Sequence, residues 1–288
     1  MIRNISNCAV WLAGALMWQA AATAPVAAAD LGGGPADRIV EDAPPPARGW
    51  SLDFSVNGWL PWMKGDAVVP GAVQDVAVNL DVAPTDVLGS LDWSKLPVWM
   101  SYVELRNGRF AVFNDIVYAA LSDSAGFEGR FLKGRINADV ELAIVELGAS
   151  YAIWQSGGTG ASATSAIDIL AGGRYWYQSL ALDLAVGNIN VARSGSIDWV
   201  DPFIGLQLRQ TVAPGQSLLV RGDIGGFGAG SDFTWQAIAK YNLELRRIGS
   251  TTIDAFIGYR ALSADYTEGG FQYDAIMHGP MMGITSKF

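Results

Sequence analysis

The sequence predicts an all-β fold, a transmembrane antiparallel up-and-down β-barrel of about twelve strands, with ten as the alternative count. Three observations carry this expectation. Half of the 288 residues are hydrophobic and 11% are aromatic, yet only 16% are charged, against ~25% in an average soluble domain. Beyond about residue 30 no apolar run approaches the ~18 residues a membrane helix requires. Instead the apolar residues are dispersed in strict alternation over segments much longer than the ~5–6 residues of an ordinary strand. A wall with lipid on one side and a polar lumen on the other demands that pattern. The aromatic content and low charge exclude disorder.

The N-terminus reads as a signal peptide over residues 1–29. Arg3 supplies the positive end, residues 8–17 (CAVWLAGALM) the apolar core, and Ala27-Ala28-Ala29 a small-residue cleavage site before Asp30. Gln19, Thr23 and Pro25 interrupt the run, which disfavours a retained anchor. Cys8 is the only cysteine, so the processed chain offers no disulfide, thiolate metal site or cysteine nucleophile. Loss of Arg3 leaves 18 basic against 28 acidic residues, a net charge of −10, the wrong sign for nucleic-acid binding. Residues 30–49 (DLGGGPADRIVEDAPPPARG) are rich in Gly, Pro and Asp and read as a flexible periplasmic leader. Residues 50–288 then form one barrel domain.

The strands follow by parity. Residues 50–62, 73–81, 98–106 and 109–120 are the first four. Residues 141–154 turn Val145, Leu147, Tyr151 and Ile153 outward, and residues 165–177 do the same with Ile167, Ile169, Ala171 and Tyr175. Residues 201–211 oppose Pro202, Ile204, Leu206 and Leu208 to Asp201, Gly205, Gln207 and Arg209. Residues 216–227 oppose Leu218, Val220, Gly222 and Ile224 to Ser217, Arg221, Asp223 and Gly225. Residues 233–246 show the longest alternation, with Phe233, Trp235, Ala237, Ala239, Tyr241, Leu243 and Leu245 on one face. Residues 251–266 follow with Ile253, Ala255, Ile257 and Tyr259. Asn107-Gly108, Ala213-Pro214-Gly215 and Ile248-Gly249 are tight turns. Longer loops are expected near residues 123–129, 187–196, 228–232 and 268–270. Residues 85–93 (TDVLGSLDW) read as one helical turn capped by Thr85 or Asp86. This gives eleven strands, and an even number needs a twelfth. Its place is within residues 60–69, where Pro61 and Gly65 break one strand into two.

The last strand, residues 271–288 (FQYDAIMHGPMMGITSKF), raises a conflict. Counting back from Phe288 in twos places His278 and Asp274 in lipid, which is costly. A one-residue bulge at Gly279-Pro280 repairs this and turns both toward the lumen. A terminal Phe288 on an alternating strand resembles the C-terminal signal of Gram-negative outer-membrane proteins. Further stretches resemble an uncharacterised family of proteobacterial outer-membrane β-barrels: Gly58-Trp59-Leu60-Pro61 with Gly65-Asp66, Asp86-Val87-Leu88 with Leu91-Asp92, Gly108-Arg109-Phe110 with Asp115, Gly173-Arg174-Tyr175-Trp176, Trp199-Val200-Asp201-Pro202 and His278-Gly279-Pro280. The resemblance spans residues 50–288. It implies the cell outer membrane as location, membrane lipids as surroundings and the barrel assembly machinery as a partner in biogenesis. It implies no substrate.

Parity turns a set of charges inward: Asp53, Glu104, Asp115, Glu146, Asp168, Arg174, Asp201, Arg209, Arg221, Asp223, Lys240, Glu244, Asp254 and Arg260, joined by Asp274 and His278 if the bulge holds. They read as a cross-lumen network of ion pairs, or as the lining of a narrow passive channel. An alternative is a lipid-modifying enzyme. Its base would be His278, the single histidine, oriented by Asp274. No serine is placed beside it by sequence, so no catalytic set is assigned. One histidine and no processed cysteine also provide no metal-ligand spacing, and no cofactor is expected. Residues 222–230 (GDIGGFGAG) share only composition with a phosphate loop, because no helix follows.

Overall fold

A computed structural model describes residues 49–69, 76–94, 96–128, 133–186 and 189–288. The expected signal peptide, and the leader up to residue 48, lie outside the described residues. The twelve strands are β1 (Trp50–Trp59), β2 (Trp62–Val69), β3 (Val76–Val82), β4 (Val98–Asn107), β5 (Phe110–Glu128), β6 (Lys133–Ser156), β7 (Ser165–Val186), β8 (Ile189–Ala213), β9 (Gln216–Gly226), β10 (Phe233–Ile248), β11 (Thr251–Glu268) and β12 (Phe271–Lys287). A short helix α1 (Pro84–Gly89) and a 3-10 turn (Gly160–Ser162) join them.

Ten strands close the barrel: β1, then β4 through β12 in order, with β1 pairing back onto β12. All pairings are antiparallel. Closure runs from Asp53↔Lys287 to Trp59↔Met281, and Leu52 exchanges backbone hydrogen bonds with Phe288 at 2.9 and 3.2 Å. The other half of β12 pairs with β2, from Trp62↔His278 to Gln272↔Val68. β1 and β2 are thus one wall element broken at Leu60-Pro61, as Pro61 leads one to expect. Among the described residues β3 pairs with β2 alone, so the β2–β3 pair adds to the wall outside the closed ring of ten strands.

The rim that carries Trp50 and Phe288 is called the terminal rim; the opposite one is the distal rim. The tight turns at Gly108, Gly215 and Gly249 all lie on the terminal rim, each with its glycine at positive φ. The expected alternation of short and long connections is only partly right. β5 continues to Glu128 and β8 starts at Ile189, so strand replaces much of the loop expected at 123–129 and 187–196. Gly269-Gly270 makes a tight distal turn with φ of 59° and 88°. Helix α1 begins at an extended Ala83 with Pro84 in its first turn. Asp86 acts from inside that turn, accepting the Ala83 amide at 3.0 Å, so the cap residue itself is neither Thr85 nor Asp86.

The bulge at Gly279-Pro280 does not exist. The β11–β12 register is unbroken from Thr252↔Lys287 to Glu268↔Phe271, so Asp274 and His278 stay on the outward face. The physical reason is length. β12 has 17 residues, whereas ~9–11 tilted residues cross a bilayer. At ~3.3 Å per residue and a tilt of about 40°, Asp274 stands ~35 Å above Phe288, beyond an apolar band of ~25 Å. Asp274 is itself exposed there, in register with exposed Asp66 and Asp265, so no parity switch is needed.

Candidate functional site: the barrel lumen

The inward faces build two stacked layers. The layer toward the middle of the barrel is ionic. Glu146 of β6, with no exposed surface, accepts from Arg174 Nε at 2.9 Å, Arg221 Nη2 at 2.8 Å, Arg260 Nη2 at 3.2 Å and Gln236 Nε2 at 3.0 Å. Asp223 accepts from Arg174 Nη2 at 2.6 Å and from Arg221 Nε at 3.0 Å. Asp115 takes Arg260 Nη1 at 3.2 Å. Three guanidinium groups therefore meet three carboxylates contributed from strands β5, β6, β7, β9 and β11. Arg221 also lies over the rings of Phe113 and Phe203, at 4.9 and 5.4 Å, and Arg260 over Trp59 at 5.1 Å. Such stacking suits the weakly hydrated, planar guanidinium better than an ammonium.

A second ionic group lies nearer the terminal rim. Arg106 bridges Glu104 at 2.8 Å and Asp168 at 3.4 Å, and Arg209 reaches Asp168 at 2.9 Å. Asp254 pairs with Lys287 at 2.7 Å, and Asp53 sits in register between Glu104 and Lys287. Glu244 pairs with Arg247 at the rim. Lys240 is held over the rings of Tyr102 and Phe256, at 5.0 and 5.1 Å. It borders a cavity of about 20 Å³ whose lining includes Asp115, Gln207 and Arg221. Asp201 stands apart, toward the distal rim. Its carboxylate accepts the Ser231 amide at 2.6 Å and hydroxyl at 2.8 Å and the Trp199 indole at 3.3 Å. That clasp ties the β9–β10 connection to the barrel.

The layer on the distal side is apolar, which sequence reasoning missed. Trp176 stacks on Trp199 at 5.5 Å and Trp199 on Tyr266 at 4.1 Å, with Tyr273 and Phe271 against them. Trp59, Met100, Val117, Ile144, Leu262, Met277 and Met281 complete it. The signal was present in the parity: Trp176 and Trp199 alternate with outward Tyr175 and Val200, so both had to point inward.

The structure thus turns fourteen of the sixteen charged residues singled out from sequence inward, in several separate groups, and leaves Asp274 and His278 on the outer face. His278 Nδ1 hydrogen-bonds the Tyr259 hydroxyl at 2.7 Å, and its ring stacks on Trp62 at 5.9 Å. Asp274 is in register with Asp66 and Asp265 on the outer surface. Among the described residues no group of three or more His, Cys, Asp or Glu side chains is placed to hold a metal.

No protein-family model matches the chain, and no curated protein matches it in sequence. Among solved structures it is similar to a FadL homologue of Pseudomonas aeruginosa, at 8% identity over 83% of this chain and 90% of that one, with a TM-score of 0.29. It is also similar to the outer-membrane protease OmpT of Escherichia coli, at 10% identity over 86% of this chain and 99% of that one, with a TM-score of 0.24.

Proposed function

We propose that this chain is an integral protein of the outer membrane whose barrel is sealed, with a structural role rather than a conducting one. The outward belt supports the location. Leu147, Ile204, Leu206, Ile257 and Ile284 each expose more than half of their surface, and alternation leaves no polar face for water. Outward aromatics border the belt, with Trp50, Phe110 and Tyr151 toward the terminal rim and Trp62, Trp99 and Trp235 toward the distal one. This is the arrangement of an aromatic girdle at each membrane boundary. Surrounding lipids and, through Phe288, the barrel assembly machinery are the partners this reading implies.

One observation favours a sealed barrel over a passive channel: both layers cross the lumen with side chains that have almost no exposed surface. Glu146, Arg174, Asp168 and Asp201 are 0% exposed, as is Trp176 above them. Paired guanidinium and carboxylate groups lack the loosely held charge that conduction requires. The checking experiment is planar-bilayer recording of the reconstituted protein, for which no discrete conductance steps are expected. Regular single-channel steps refute the reading. The lipid-modifying alternative gains no specific support, because the hydroxyl bonded to His278 is the phenol of Tyr259.

A further inference from the structure

The terminal rim carries a pocket of about 230 Å³ that the ionic network leaves unfilled. Its place follows from strand parity. Ser51 of β1 and Arg106 of β4 stand in register and point inward, whereas Trp50 and Phe288 point outward and expose more than half of their surface. All four line the pocket, so it runs across the rim from the mouth of the lumen to the lipid face. The 3-10 turn adds Gly160 and Ala161 to the lining. That turn is packed onto the β4–β5 turn, where a Cβ on Gly160 would meet the Gly108 carbonyl at 2.9 Å. Pockets that enclose a whole small molecule are ~300–1,000 Å³, so this one has room for a head group and not for long chains.

Among the described residues, Arg106 supplies the one charged side chain of that lining. It is buried, with Nε donating to Glu104 at 2.8 Å and Nη2 to Asp168 at 3.4 Å. Its Nη1 is also buried and has no acceptor among the described residues. Buried donors are nearly always paired, so this nitrogen calls for an oxygen that the neighbouring strands do not supply. A guanidinium edge with N–H bonds to spare suits a phosphate oxygen.

A bare phosphate, however, meets an opposing charge. Asp53 is half-buried two residues beyond Ser51 on the same inward face, ~7 Å along the strand. Among the described residues it has no cation within ion-pair distance. Lys287 is taken by Asp254 at 2.7 Å, Arg106 and Arg209 are taken by Glu104 and Asp168, and Lys240 lies over the Tyr102 and Phe256 rings. A carboxylate withdrawn from water without a partner is costly. A ligand that carries an ammonium a short arm away from its phosphate satisfies Arg106 and Asp53 together.

We propose that this pocket binds the head group of a zwitterionic phospholipid, phosphatidylethanolamine, from the leaflet at the terminal rim. A phosphate oxygen accepts from Arg106 Nη1, the ammonium meets Asp53, and the acyl chains run down the outer wall past Trp50 and Phe288. A bilayer lipid is favoured over a free phosphate ester because two of the lining residues face the bilayer, where only chains meet them. The proposal rests on the lipid-facing reading of the outer belt.

The test adds phosphatidylethanolamine, phosphatidylglycerol or soluble phosphoethanolamine to the detergent-solubilised protein, and native mass spectrometry counts what stays bound. One phosphatidylethanolamine per protein is expected, held about tenfold more tightly than phosphatidylglycerol or the soluble head group. Ala161→Trp fills the pocket from an exposed position outside the ion pairs; it is expected to lose that lipid while keeping the unfolding midpoint. Asp53→Asn is expected to bring the two lipids to similar affinity. No such adduct, or full retention in Ala161→Trp, overturns the site. Equal binding of the soluble head group overturns a bilayer lipid as its ligand, and an unchanged preference in Asp53→Asn overturns the ammonium contact. Flotation with phosphatidylcholine vesicles and heat-modifiable gel mobility separate the two readings. A protein that passes both without retaining the lipid refutes only the site, and one that fails to float refutes the membrane barrel itself.

Discussion

Replacing Glu146 by alanine removes the anion on which three guanidinium groups converge. In the native lumen Arg174, Arg221 and Arg260 face Glu146, Asp223 and Asp115, and the charges balance. The variant leaves one positive charge in excess at a site with no exposed surface. Four hydrogen bonds are lost, all of them to an ionised carboxylate and each worth ~1.5–3 kcal/mol. Their simple total overstates the effect, because Asp223 and Asp115 keep part of each arginine and neighbouring contributions do not add. Breaking one side of a buried pair costs about 3–5 kcal/mol, and about 4 kcal/mol is expected here. The assay is urea unfolding in vesicles, followed by the gel mobility of unheated samples. With a slope of about 2.5 kcal/mol/M the midpoint falls by ~1.6 M. Glu146→Gln, which keeps the volume and one acceptor oxygen, should lie between. Glu244→Ala is the control, since its partner Arg247 is 65% exposed at the rim and such pairs contribute little. If Glu146→Ala unfolds at the same midpoint as Glu244→Ala, the network does not hold the lumen together and the argument fails.

Other outcomes follow from the same structure. Trp199→Ala removes the ring between Trp176 and Tyr266 and the indole's hydrogen bonds to Ser231 and Asp201; a loss of about 3–5 kcal/mol should appear in the same unfolding assay, with a smaller loss for Trp199→Phe. Gly205→Val should abolish recovery of folded protein from the membrane fraction, because a Cβ there meets the Gly222 carbonyl at 2.3 Å and the Asp223 Cβ at 2.6 Å. Phe288→Ala keeps the backbone bonds to Leu52. It should therefore lower the amount assembled in cells while leaving the unfolding midpoint of refolded protein nearly unchanged.

Much of the wall was legible because lipid imposes a simple rule on every second residue. Ile253, Ala255, Ile257 and Tyr259 had to face outward, and once they did, Asp254 and Arg260 had nowhere else to go. The same rule failed on β12 because it was applied along the whole strand, although lipid governs only the part inside the band. The apolar layer was missed for a related reason. The lumen was assumed polar throughout, yet a barrel this narrow can fill its distal end with Trp176, Trp199 and Tyr266 as well as with ions. The seating of the β2–β3 hairpin was not readable from local pattern, since β2 finds its partner in β12, at the far end of the chain. Nor does spacing reveal that Asp201 clasps Ser231 rather than joining Arg174, its neighbour in register.

The pairing of Leu52 with Phe288 also sets an order of events. The first strand finds one of its two closing neighbours in residues 281–287, more than 220 residues further along the chain, so no cylinder can exist until that segment is in place. Until then the growing sheet has two unpaired edges, which are templates for wrong pairing, and its ends must be brought together across nearly the whole polypeptide. Losing residues 281–287 therefore does more than shorten one strand. It leaves an open sheet that must be kept from aggregating by something other than its own fold.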